Sequence, residues 1–301
     1  MRKAVVLALL VVLLGALAVA QGAPSQDGKL SKYIFVETER INPARFEIYS
    51  KMLAQVRQTM DDAKSGTYWL AMNPITGEGG TIGYVMFVDS LADVDNVLAE
   101  FDKVEHEVGA KDPTFAKNLY ESIQGAHMGI MAFKPELSLK PHLVPAHDAT
   151  RYRIVNVVVK PGQATRYANL LKEALALEKD LPGVNWITYQ SVVHNRGTMF
   201  TIVTPLKGLA DLDVDNSAAM AKIFTPLVMR DFEQRMSACI DSVDSGFYMV
   251  QPKLSRVPPA FVAANPSYWT IKEEPIVVAE KGKKAKKSAV VPAALTKEEK
   301  K

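Results

Sequence analysis

Five histidines, three tryptophans and one cysteine are the side chains of this 301-residue chain with most scope for chemistry. His106 sits in Glu105-His106-Glu107, which reads as a solvated helix face. His142 and His147 flank Pro141 and Pro145 with no metal-ligand spacing on a regular element, and His194 falls in the turn His194-Asn195-Arg196-Gly197. His127 opens a strand, where a polar residue making a local hydrogen bond is the favoured reading. The run Gly77-Glu78-Gly79-Gly80-Thr81-Ile82-Gly83 looks like a phosphate-binding loop. The third glycine of that fingerprint would fall at Ile82, however, and the run joins two strands, so no helix N-terminus would meet a phosphate. It reads as a hairpin loop. The sequence holds no Ser-His-Asp elbow, zinc motif or P-loop.

Trp69 and Trp186 are matching positions in a chain that repeats itself at an offset of 117 to 118. Asn42-Pro43-Ala44 falls on Lys160-Pro161-Gly162, Tyr49 on Tyr167, Leu53 on Leu171 and Phe115 on Phe232. Gly80-Thr81 is matched to Gly197-Thr198, and Lys134-Pro135-Glu136-Leu137-Ser138 to Gln251-Pro252-Lys253-Leu254-Ser255. Offsets this steady point to one folding unit used twice. His127 then corresponds to Asp244, and Cys239 to Ser122, so the lone thiol reads as a small buried residue.

Each unit reads strand, helix, strand, strand, helix, strand. In the first, Tyr33 to Ile41 is a strand, and Asn42 with Pro43 starts a helix carrying Phe46, Tyr49, Leu53, Val56 and Met60 on one face. Strands follow over Thr67 to Met72 and Thr81 to Val88. Ser90 caps a second helix with Leu91, Val94, Val97, Leu98 and Phe101 on its apolar face, a further piece carries Phe115, and Ala126 to Phe133 is the fourth strand. In the second unit the strands are Tyr152 to Val159, Asn185 to Val193, Thr198 to Thr204 and Phe247 to Val250, with a helix after Pro161 and a helical region over Ser217 to Ser237. The domain reading is a signal peptide over 1–20, units over 30–138 and 151–255, a linker over 139–150, an extended arm over 256–279 and a disordered Lys-rich tail over 280–301.

Arg2 and Lys3, the apolar run Ala4 to Leu17 and the A-x-A site Ala18-Val19-Ala20 form an export signal, so the mature chain is expected to begin at Gln21 and to be periplasmic or secreted. An uncleaved anchor stays open as the alternative. One cysteine excludes an intramolecular disulfide, and the core must hold the fold without one. The tail from Glu280 holds eight Lys and three Glu, so the body from Gln21 to Ala279 is mildly acidic, with 26 basic and 30 acidic residues. A basic nucleic-acid surface on the body is not apparent.

A βαββαβ unit is the ferredoxin-like pattern, whose sheet has helices on one face and must find cover for the other. On Val157-Val158-Val159-Lys160-Pro161-Gly162 leading into a Tyr-containing helix, and on the repeated element order from Tyr33 to Ser255, the chain resembles the dimeric α/β-barrel superfamily. That group includes antibiotic-biosynthesis-type monooxygenases, NIPSNAP-like proteins and haem-binding chlorite-dismutase-like proteins. The resemblance implies an α+β fold, two ferredoxin-like units facing each other in an intrachain α/β barrel, and a monomer or weak dimer. It says little about function, since one fold hosts many chemistries.

Two functions follow as expectations. The first is a barrel binding a small hydrophobic or aromatic ligand, or a partner protein. The alternative is a monooxygenase-like or haem-dependent oxidoreductase; haem, which relatives hold through a histidine, is open but not favoured, because His127 does not match that motif. The expected pocket lies between sheet and helices or at the barrel centre, lined by Trp69, Tyr84, His127, Arg153 and Trp186, with Tyr68, Asn185 and Tyr189 nearby. Against it stands the reading of both Trp as core. Alternation puts Arg151 and Arg153 on one strand face and Asn156 on the other, and Arg153 would pair with a carboxylate or hold an acidic ligand.

Overall fold

The computed structural model describes residues 30–77, 79–194, 197–214 and 216–271. The signal read over 1–20, the arm beyond 271 and the tail over 280–301 lie outside them. The first half runs β1 (Tyr33–Ile41), α1 (Phe46–Asp62), β2 (Trp69–Pro74), β3 (Thr81–Val88), α2 (Leu91–Lys111), α3 (Phe115–Ser122) and β4 (Ile123–Phe133). The second runs β5 (Arg151–Val159), α4 (Ala164–Glu178), β6 (Ile187–Ser191), β7 (Thr198–Leu206), α5 (Ser217–Ile223), α6 (Pro226–Cys239) and β8 (Ile240–Val250), followed by α7 (Pro259–Ala264) and α8 (Pro266–Trp269).

Eight strands close into one barrel in the order β1-β3-β2-β8-β5-β7-β6-β4. Each half supplies four adjacent strands in the ferredoxin-like order, β4-β1-β3-β2 and β8-β5-β7-β6. The fold is therefore α+β, with two tandem units completing within one chain the barrel that the resemblance implies. The seams are short. β2 meets β8 from Met72 opposite Val250 to Pro74 opposite Tyr248, and β4 meets β6 from Met131 opposite Ser191 to Phe133 opposite Tyr189. Closure removes sheet edges along these stretches.

Local chemistry sets the helix starts. Asn42 accepts from the Ala44 N–H and leads through a short 3-10 turn into α1, while Ser90 and Asp93 form a reciprocal capping box on α2. The inner stripe of α1, Tyr49, Met52, Val56 and Met60, packs with Val94, Val97, Val104 and Val108 of α2 onto the outer face of the first sheet. Tyr167, Leu170 and Leu171 of α4 do the same on the second, with Val157, Val159 and Phe200 beneath them.

A pair of clasps ties the halves together. Trp69 Nε1–H donates to the Leu254 carbonyl and Trp186 Nε1–H to the Leu137 carbonyl, both at 2.8 Å. Ser255 Oγ accepts from the Ala71 N–H and Ser138 Oγ from the Thr188 N–H, both at 2.9 Å. The Pro-x-Leu-Ser segment ending each half is thus bonded to the second strand of the other half.

Several boundaries differ from the sequence reading. β4 and β8 begin at Ile123 and Ile240, because their polar first halves are exposed and carry no apolar signal. The helical region expected over Ser217 to Ser237 is two helices, because Thr225 caps a new one with Pro226 in its first turn. The arm expected to be extended instead forms α7 and α8 within its described part. Each has a proline in its first turn, and Phe261 and Trp269 are buried. The match of Gly80-Thr81 to Gly197-Thr198 is off by one in register. Arg40 lies opposite Thr81 and Val158 opposite Met199, so the β6–β7 hairpin is one residue longer. A one-residue slip exchanges the two faces of a strand. The structural counterpart of Tyr84 is therefore Ile202, not Thr201.

Candidate ligand-binding site

The antiparallel pairings make β1, β2, β5 and β6 run one way and the other four strands the opposite way. The barrel thus has an upper end, where β1 and β5 finish, and a lower end, where they start. The linker reaches the lower end before β5, and the chain after β8 leaves from it. There Val144, Ala146 and Ala149 of the linker pack with Phe261, Trp269, Leu70, Tyr152 and Val250. Trp269 Nε1–H donates to the His147 carbonyl at 2.9 Å and Tyr268 Oη–H to the Val250 carbonyl at 2.8 Å, which fixes this floor in place.

Above the floor, the barrel encloses a cavity of about 960 Å³. Its lower walls are apolar, with Ile34, Leu70, Phe87, Ile187 and Val203 among them. Its upper rim is polar: Thr38, His127, Asn156, Ser191, His194 and Thr201 line it. Thr201 Oγ1–H donates to Asn156 Oδ1 at 2.7 Å. Two tyrosines, Tyr152 and Tyr189, stand in the wall between rim and floor, 7% and 4% exposed. Burial raises the pKa of both phenols, so both stay protonated at neutral pH. No Lys or Arg is among the described residues that line the cavity. An apolar chamber of this size with a few polar groups is the usual form of a small-molecule site.

The five residues expected to line one pocket do not converge. Only His127 reaches this cavity, at its rim. Trp69 and Trp186 lie on the outer, helix-facing side as the two clasp residues, where Trp69 also packs against Phe101 with ring centroids 5.6 Å apart. Tyr84 is on the same outer side, within hydrogen-bonding reach of Tyr49. Arg153 is exposed on the outside of β5, because strand alternation sends Tyr152 and Ile154 inward on either side of it. Of the residues expected nearby, Tyr189 faces the cavity and Tyr68 and Asn185 do not; Asn156, on the strand face opposite Arg153, faces it as well. Tyr152 was missed, although its place two residues before Ile154 and four before Asn156 carries the same alternation.

Packed side chains fill most of the outer space between helices and sheet in both halves; a smaller space of about 410 Å³ lies beside Ile41, Phe46, Ile82 and Leu254, so the barrel centre is the roomier site. Haem does not fit its donor set. One lining histidine could reach an iron, but no lining Lys or Arg among the described residues would meet two propionates. No group of three metal-ligating side chains occurs among the described residues either. No described helix is long and apolar enough to cross a membrane.

No family model matches the chain, and no curated protein matches it in sequence. Solved structures with a similar course include an anthrone oxidase-like protein, 13% identical with a TM-score of 0.48 over 73% of this chain and 92% of that one. A mutant chlorite dismutase from Candidatus Nitrospira defluvii is 12% identical with a TM-score of 0.44, over 74% of this chain and 92% of that one. A protein of Lactobacillus acidophilus provisionally assigned as a monooxygenase is 13% identical with a TM-score of 0.44, over 73% and 94%.

Proposed function

We propose that this protein is an exported binding barrel that takes up a small, uncharged, mainly apolar molecule in its lumen through the polar upper rim. The observation that carries the reading is the chamber of about 960 Å³, apolar below, rimmed by hydrogen-bonding groups above and floored by the linker and α7. Burying the apolar surface of a ligand there contributes roughly 25 cal/mol per Å² before the costs of association. The export part rests on Arg2, Lys3 and the apolar run to Leu17.

Blocking the lumen tests the reading. Gly129 lines the cavity, and a Cβ built on it meets nothing within 4 Å. Gly129→Phe therefore places a ring in open space without backbone strain. The neutral dye N-phenyl-1-naphthylamine is expected to fluoresce on binding the wild type, and Gly129→Phe to lose at least tenfold in affinity while its melting temperature stays within a few degrees. Equal dye binding by both proteins would place the dye elsewhere and end the proposal. The oxidoreductase alternative predicts instead oxygen uptake when a bound ligand is supplied, read with an oxygen electrode.

A further inference from the structure

Tyr152 and Tyr189 are two buried phenols on the lumen wall. Both hydroxyls belong to rings more than nine-tenths buried, both residues line the lumen, and neither makes a hydrogen bond to any described residue. Several buried aromatic polar groups away from the lumen are satisfied within the protein. Trp69, Trp186 and Trp269 each donate to a backbone carbonyl, and Tyr49 donates to Glu39. Neither hydroxyl is among the fully buried atoms left without a partner, so both open onto the lumen, where they can donate to a guest. Tyr152 is also near enough to Tyr189 to feel its charge state. β6 and β7 join them: Tyr189 lies opposite Thr201, which lies opposite Asn156, two positions along β5 from Ile154 and four from Tyr152.

We propose, resting on the lumen reading above, that Tyr152 and Tyr189 form a donor pair for an uncharged acceptor oxygen, a ketone or ester carbonyl, on the buried end of an apolar ligand, and that the lumen discriminates against carboxylates. Phenols that stay protonated donate and suit a carbonyl oxygen. A carboxylate would also accept these bonds, but it would lose its hydration in a chamber lined by no Lys or Arg among the described residues. A saturated chain of about ten carbons matches the depth from Thr38 to Ile34, four residues of β1 or roughly 13 Å.

Competition with N-phenyl-1-naphthylamine, which carries no acceptor oxygen, tests the pair on the full chain. 2-Undecanone is expected to displace the dye at a concentration at least tenfold below that needed for decanoate at pH 7.5. The Tyr152→Phe/Tyr189→Phe variant should bind the dye as the wild type does but lose about fivefold or more in affinity for the ketone, and either single change should give part of that loss. Equal displacement by ketone and decanoate overturns the proposal, as does a variant in which dye and ketone weaken together. Should the double variant fail to fold, the wild-type comparison and the single variants decide. A wild type that binds no dye sinks the lumen reading itself, and this inference with it.

Discussion

The two halves place opposite chemistry in the same layer. Between the first sheet and its helices stand Glu37 and Glu39 of β1, Tyr49 of α1 and Tyr84 of β3, with Glu105 of α2 near enough to raise the pKa of both β1 carboxyls. At the equivalent places of the second half stand Val155, Val157, Tyr167 and Ile202, which pack as plain core. Tyr49 donates to Glu39, whereas Tyr167 packs on Phe200 with ring centroids 5.0 Å apart. One βαββαβ frame therefore accepts either filling. What it requires is side chains of suitable volume. The acidic filling carries an electrostatic penalty: burial first, then Glu39 and Glu105, pushes Glu37 up to about 7, and burial also leads the upward shifts of Glu39 and Glu105.

The comparison breaks most sharply at the clasps, where the halves are alike. Trp69→Ala and Trp186→Ala should each cost about 3–5 kcal/mol, since each removes a buried indole and leaves a carbonyl unpaired. Urea unfolding of both variants checks this. Losses differing by several kcal/mol would show that the two clasps do not hold equally.

The next effect separates the halves. Glu37 has its folded pKa raised above its ordinary 4.5, to about 7. The folded state then binds the proton more tightly than the unfolded chain, so ionising Glu37 destabilises the fold. The penalty is absent below about pH 4.5, grows as pH rises to about 7 and is constant above that. Glu37→Val, which installs the side chain of Val155, should raise stability by about 2 kcal/mol at pH 8, the shift being discounted for partial exposure, and leave it nearly unchanged at pH 4.5. Val155→Glu should lower stability at pH 8. A pH-independent effect of Glu37→Val would mean that the carboxyl is paired rather than strained.

The smallest effect is at the helix ends. Ser122 and Cys239 each close the last helix before the fourth strand of their half, fully buried, and their carbonyls accept from Asn42 and Lys160. Ser122 Oγ has no hydrogen-bond partner among the described residues. Ser122→Ala should therefore gain about 1 kcal/mol, while Cys239→Ala should lose a similar amount by opening a small void. Thermal melts that move the same way for both would count against this assignment.

Much of the fold was legible because two periodicities wrote it. The three- and four-residue steps from Tyr49 to Met60 marked α1, and the constant offset from Trp69 to Trp186 marked two units of one kind. Caps at Asn42 and Ser90 were local hydrogen-bonding facts and needed no neighbour. The lumen was only partly legible. Alternation separated Asn156 from Arg153 correctly, yet it could not say which face of a strand looks inward. In β2, Trp69, Leu70, Ala71 and Met72 are all buried. A sheet covered on both sides leaves no polar face to mark the outside.

The sequence alone thus determined the elements, their order and the pairing of like positions, because these depend on residue type and spacing within a short stretch of chain. The tertiary structure decided which residues share a space. A longer β6–β7 hairpin exchanged the faces of β7, so Thr201 looks into the lumen while Tyr84, its apparent match, looks out. Closure of the barrel sent both tryptophans to the clasps and brought Tyr152 and Tyr189, from different strands, to one wall. Such placement depends on register and closure between segments far apart in the chain, which no local pattern of residues encodes.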